Sequence, residues 1–209
     1  MNYRTIPLGP LWTNSYVIDD GRGQALCVDA GGPADAVIAW LHEKKLTLCA
    51  ILLTHGHMDH ILGVAGLKER TGAKLYISKE DAPLLRDPDK NLANDFGYDV
   101  RPAEPDMLLS DGSRFSVGAM DLEVIHTPGH TPGSICCVAS QGDERLLISG
   151  DTLFSRSIGR TDLRGGDDAA MARSLRRLKE IPGDMPVLPG HGPETSLQRE
   201  RLLNPWMQD

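Results

Sequence analysis

The six-residue apolar run 48–53 stops abruptly at Thr54-His55-Gly56-His57-Met58-Asp59-His60, and that junction limits what the chain can become. An apolar run of strand length with no polar alternation marks a strand covered on both faces. The fold therefore needs a layer on each side of it. Immediately afterwards, three imidazoles and a carboxylate fall within six residues. Holding them together at the end of a buried strand is costly without a cation, so the run reads as a metal-binding loop. A structural, hydrogen-bonded role suits isolated histidines better. It is the expectation for His126, at the end of a strand-like run, and for His42, on a charged helical face.

The surrounding sequence is consistent with layers. Strands are expected at 3–8, 13–18 and 25–29, opening a meander with the turn Asp19-Asp20-Gly21 before its third strand. A helix follows Gly31-Gly32-Pro33, with Val37, Trp40 and Leu41 on one stripe, and a second is expected over 58–70 through Ile61, Leu62, Val64 and Leu67. Residues 79–105 are polar and loop-like, with short helical pieces at 82–85 and 91–96. Strands return at 114–117, 121–126, 134–139 and 145–149, then a helix at 167–181 and a short strand at 186–188. Strands first, helices interspersed and strands again is not the strict βαβ order of a doubly wound sheet. It predicts two sheets packed face to face with helices outside, in a single domain over 1–209. No GxGxxG follows a strand and no GxxxxGK[ST] occurs, so nucleotide phosphate chemistry is not expected.

Composition narrows the class further. The longest apolar runs, 36–41 and 48–53, are six residues each, against the roughly 18 to 20 that cross a bilayer. No membrane association is expected, and without a visible secretory signal the default location is cytoplasmic. A net charge of -7 argues against broad nucleic-acid binding. The four cysteines form no CxxC pair, and Cys136 and Cys137 are adjacent in a strand, pointing to opposite faces. They read as reduced core thiols.

Three further candidate ligands sit in Gly/Pro-rich turns or at a strand end: His130 in HTPGHTPG, Asp151 in SGDT and His191 in PGHGP. His55 and His57, two apart in an extended loop, can converge on one ion, while Asp59 and His60, at a helix start, suit a second. An open catalytic site takes about three protein ligands per ion, so His130 completes the first set and His191 the second. Asp151 can bridge. Two ions about 3.5 to 4 Å apart would generate a nucleophile from water at neutral pH. Imidazole and carboxylate favour zinc, with iron or manganese also compatible.

THGHMDH, HTPGHTPGS, SGDTLF and LPGHGP, in this order, resemble the metallo-β-lactamase superfamily, and within it the short, single-domain glyoxalase II (hydroxyacylglutathione hydrolase)-like proteins of bacteria. The resemblance runs over roughly residues 1 to 205. It implies a four-layer αββα sandwich, an α/β fold of the α+β kind, with two metals at one edge. His55, His57 and His130 would hold the first metal, Asp59, His60 and His191 the second, and Asp151 both. Asp59 and Asp151 are the expected catalytic carboxylates, and metal-bound hydroxide is the expected attacker of the acyl carbonyl. Arg160, in the GRTD segment, matches a basic residue that contacts glutathione; Asp162 departs from the aromatic often found two residues on. Full-length glyoxalase II enzymes carry a C-terminal helical region that grips glutathione, whereas this chain ends soon after His191. The expected substrate is a small thioester such as S-lactoylglutathione, turned over by a monomer or small homo-oligomer. A thiolate leaves without obligatory protonation, since thiol pKa values lie near about 8.5. GRTD also resembles the persulfide dioxygenases, in which residues matching His55, His130 and Asp151 hold one iron; that is the alternative, along with hydrolysis of another ester or thioester.

Overall fold

A computed structural model describes residues 1–208. The first half of the chain builds one sheet and its helices. Strands β1 (Asn2–Leu8), β2 (Thr13–Asp19) and β3 (Gln24–Val28) form the expected antiparallel meander. Helix α1 (Asp35–Lys44) crosses to β4 (Thr47–Leu52), helices α2 (Met58–Ile61) and α3 (Val64–Thr71) lead to β5 (Lys74–Ser78), and α4 (Ala93–Phe96) precedes β6 (Met107–Leu109). From β3 to β6 neighbouring strands are parallel, so the sheet runs β1-β2-β3-β4-β5-β6.

The second half builds the facing sheet. β7 (Arg114–Val117), β8 (Met120–His126), β9 (Ile135–Gln141) and β10 (Glu144–Gly150) are antiparallel, followed by a small hairpin of β11 (Leu153–Phe154) and β12 (Ser157–Ile158). Helix α5 (Asp168–Lys179) then leads to β13 (Pro186–Pro189), which lies parallel to β10, and β14 (Thr195–Ser196) and α6 (Leu197–Leu203) follow.

Side-chain alternation explains why these sheets need four layers. In β4, Ala50 and Leu52 join Val124, Cys137 and Ile148 of the facing sheet in the central core, while Ile51 packs with Val37, Leu41, Val64 and Leu67 on the helical side. Cys136 and Cys137 divide in the same way, Cys137 inward and Cys136 outward among Met171, Leu175 and Leu178 of α5. Asp167 caps α5 by accepting a hydrogen bond from the Ala170 amide at 2.8 Å. The αββα sandwich is thus formed as expected. No helix among the described residues is long and apolar enough to cross a membrane.

The structure departs from the sequence expectation in three places. The helix expected over 58–70 is broken: Leu62 and Gly63 separate α2 from α3 although Ile61, Val64 and Leu67 are all buried. The cause is tertiary. The Gly63 amide donates to Ala30 O at 2.7 Å, and a Cβ on Gly63 would lie 1.8 Å from Gly32 O. Strands β5, β6, β11, β12 and β14 are additional, each of two to five residues. Helix α6 is also additional, its start capped by Ser196, which accepts from the Arg199 amide.

Two glycines three residues apart, Gly63 and Gly66, therefore behave differently on substitution. Gly63→Ala is expected to destabilise by about 1–3 kcal/mol, as overpacking does. Gly66→Ala, inside α3 with only Arg101 Nη2 at 3.8 Å from the added Cβ, is expected to stabilise by about 0.5–1 kcal/mol. Urea unfolding of both variants at equal metal content checks the contrast.

Candidate metal centre

The carboxyl ends of β3 and β4, which are parallel, and of β10 and β13, likewise parallel, open onto one edge of the sandwich. β3 leads directly into Asp29 and β4 into the 54–60 loop, which includes the single turn of α2. β10 leads directly into Asp151, β13 runs out toward His191, and the turn between β8 and β9 adds His130. All seven residues expected as ligands meet here. His55, His57, Asp59, His60, His130 and Asp151 are buried, and His191 is half-buried. The approach is close enough to require glycine at position 190, where a Cβ would lie 2.1 Å from Asp151 Oδ1 and 2.8 Å from His60 Cε1.

The side chains fall into three groups whose ligating atoms lie within 4.8 Å of one another: His55, His57 and His130; Asp59, His60 and His191; and His55, His60 and Asp151. Within the first, His57 Nδ1 faces His130 Nε2 at 2.9 Å. Within the second, Asp59 Oδ2 lies 3.2 Å from His191 Nε2 and 3.5 Å from His60 Nε2. Asp151 stands between them, with Oδ1 3.4 Å from His60 Nε2 and Oδ2 3.5 Å from His130 Nε2 and 3.6 Å from His191 Nε2. Ligands about 2.0–2.2 Å from a tetrahedral ion are about 3.3–3.6 Å apart. Most of these separations match that spacing.

Hydrogen bonds outside the cluster orient the rings. His60 Nδ1 donates to Asp29 Oδ2 at 2.9 Å, and His130 Nδ1 donates to Arg160 O at 2.7 Å. The Thr54 hydroxyl donates to Asp29 Oδ2 at 2.8 Å and so accepts from His55 Nδ1 at 3.1 Å. In its neutral form each of these rings carries an unprotonated Nε2, the tautomer that binds a metal. His55 Nε2, His57 Nε2, His60 Nε2 and Asp151 Oδ1 are buried without a hydrogen-bond partner. Unpartnered buried acceptors of this kind are what a cation would satisfy.

The electrostatics agree. Burial and the neighbouring imidazoles hold His55 well below the usual histidine range and push His57 down to about 3. Burial would lower His60 too, but Asp59, Asp29 and Asp151 outweigh it and raise it to about 10. Burial would raise the Asp59 carboxyl, yet His60, His191 and the Thr13 hydroxyl, 3.0 Å away, hold it well below the usual carboxylate range. One side of the cluster rejects a proton and the other demands positive charge. Divalent cations meet both conditions with neutral imidazoles.

Two residues escaped the sequence reading. Asp29, in the left-handed region at φ 49, accepts the Thr54 amide at 2.8 Å as well as the Thr54 hydroxyl and His60. Its only visible mark was its place at a strand end. Asp81, fully buried, clamps the two ligand-bearing turns by accepting from the Gly56 amide, the Gly133 amide and the Thr131 hydroxyl at 2.7–2.9 Å. It lies in the polar stretch where no pattern was legible.

A pocket of about 340 Å³ opens over the cluster and reaches Arg160. The Arg160 guanidinium is exposed and makes two hydrogen bonds with Asp162, at 2.7 and 2.8 Å. Arg164 pairs with Asp95 at 3.4 Å. The two remaining histidines are bystanders, as expected: His126 Nε2 donates to Pro132 O at 2.9 Å, and His42 is exposed on α1.

Comparison with known proteins agrees with this geometry. The crystal structure of BLEG-1 B3 metallo-β-lactamase superposes with a TM-score of 0.93 at 38% identity, covering 100% of both chains. The crystal structure of TTHA1623 in a di-iron-bound form gives a TM-score of 0.86 at 36% identity over 97% of this chain and 99% of that one. Hydroxyacylglutathione hydrolase GloC of Haemophilus influenzae is 32% identical over 99% of this chain and 98% of its own length. The family description "Metallo-beta-lactamase superfamily" matches residues 8–191, and the chain belongs to that superfamily.

Proposed function

We propose that the protein is a binuclear metallohydrolase acting on acyl thioesters of the hydroxyacylglutathione type. The observation that carries this reading is the position of Asp151, with one oxygen toward His60 and the other toward His130 and His191. His55, His57 and His130 would hold one ion, Asp59, His60 and His191 the other, and Asp151 both. When bound, such ions supply Lewis acidity that makes water nucleophilic at neutral pH and offsets charge on an acyl oxygen. Zinc suits the donor set; the di-iron form of TTHA1623 supports iron as well.

The chain's own groups define the rest. Asp59 and Asp151 are the carboxylates nearest the reacting centre, Asp59 oriented by Thr13 and its charge matched by His60 and His191. The pocket lining contains no Lys, Tyr or Cys that would protonate a leaving group. A thiolate needs no such acid, because thiols ionise near about 8.5. In the reaction the C–S bond breaks, the oxygen of water joins the acyl carbon, and the thiol and carboxylate leave. GloC, a hydroxyacylglutathione hydrolase by name, supports the same class. Arg160 is the group on the pocket lining that we assign to an anionic end of the substrate, in competition with Asp162. The single-iron dioxygenase alternative needs only His55, His130 and Asp151, and gives the gathered Asp59, His60 and His191 no task.

Purified with its metals, the protein is expected to hydrolyse S-lactoylglutathione, followed by loss of thioester absorbance, with a β-lactam as counter-substrate. Asp151→Ala should lower the rate more than about 100-fold while leaving cooperative unfolding in place; an undiminished rate rules out the shared carboxylate. Asp29→Asn should weaken metal retention about 10–100-fold, the usual effect of losing a group that orients a ligand, measured by competition with a chromophoric chelator.

A further inference from the structure

The pocket over the candidate centre is polar at its floor and apolar on its walls. Leu11 comes from the β1–β2 turn, Leu92 and Phe96 from the α4 segment, Phe154 and Ile158 from the β11–β12 hairpin, and Leu163 from the loop after it. The polar wall residues are largely engaged by the protein itself. The Asn91 amide group is committed to the backbone, donating to Leu84 O and accepting from the Ala93 amide. Arg160, the only guanidinium in the lining, is clasped by Asp162. Ser157 adds a hydroxyl.

The hairpin wall is built rather than incidental. Glu200 of α6, 0% exposed, accepts from the Arg156 amide at 2.7 Å, the Thr195 hydroxyl at 2.6 Å and Asn204 Nδ2 at 3.0 Å. Asn204 Nδ2 also donates to Phe154 O and Ser157 O. These bonds hold the hairpin turn with Arg156 in the left-handed region at φ 56, a conformation that a non-glycine residue adopts at some cost. They also hold Phe154 edge-on to His191, with ring centroids 6.2 Å apart and planes at 87°. An apolar face is thus fixed beside a candidate ligand, next to where one of the two groups flanking a reacting carbonyl would lie.

We infer that the acyl group of the substrate lies against this wall, and that the site prefers thioesters with an apolar acyl chain over the hydroxylated lactoyl group. The inference rests on the thioesterase reading and names its substrate class. Glutathione itself carries two carboxylates and an ammonium at neutral pH. Placing these among Leu92, Phe154 and Ile158 would bury unpaired charge, whereas an alkyl chain gains from the same contacts. The charged end then points outward toward the rim.

The test compares S-lactoylglutathione with S-hexanoylglutathione, which share the leaving thiol and differ only in the acyl group. For the metal-loaded protein, kcat/KM for the hexanoyl thioester is expected to be at least about tenfold higher, since each methylene in an apolar pocket is worth a factor of about ten or more. Phe154→Ser, and independently Ile158→Ser, should reduce that ratio at least about threefold. A wild-type ratio of one or below overturns the acyl-wall inference while leaving the thioesterase reading in place, as does a ratio unchanged in both variants. Failure to hydrolyse either thioester overturns the thioesterase reading and this inference with it.

Discussion

Three imidazoles, those of His55, His60 and His130, commit their Nδ1 protons to the protein and turn a bare Nε2 toward one small volume. Two of these bonds converge, directly or through Thr54, on a single buried carboxylate, Asp29. Lone pairs and the carboxylates of Asp59 and Asp151 are thereby concentrated where no lysine or arginine lines the floor. Such a cluster is unfavourable on its own. The architecture around it serves to hold these groups at the spacing of shared ligands.

That service is divided between the two sheets. The sheet built from the first half of the chain supplies Asp29 and the 54–60 loop, and the sheet built from the second half supplies His130, Asp151 and His191. Neither half has a complete set. The central core of Leu52, Val124, Cys137 and Ile148 brings the halves together, and Asp81 links the Gly56 turn to the Gly133 turn across the gap. Packing and site formation are therefore coupled: what fastens the sheets face to face also sets the distance between the ligand groups.

Much of this was legible in the sequence because its determinants are local. The 48–53 run declares a doubly covered strand, and HxHxDH places four ligating groups in one short segment. His130, Asp151 and His191 were legible from the turns and strand ends that carry them and from the resemblance of those motifs. Asp29 and Asp81 were not, since a single aspartate at a strand end or in a polar stretch looks the same whether it orients a histidine or faces water. The break at Gly63 was hidden for a different reason. Helical periodicity continues across it through Ile61, Val64 and Leu67, and only the approach of Gly32 from another loop interrupts the helix. Arg160 lies on the pocket lining, and its clasp by Asp162 is a side-chain geometry that spacing does not reveal.

The central claim is that the seven groups form a two-ion centre sharing Asp151. Elemental analysis of the protein purified without chelator, paired with the same measurement on His191→Ala, tests it most directly. The account predicts about two transition-metal ions per wild-type chain and about one in the variant, with the three-histidine set still occupied. A wild-type content of one ion or none, or the same content in both proteins, would contradict it.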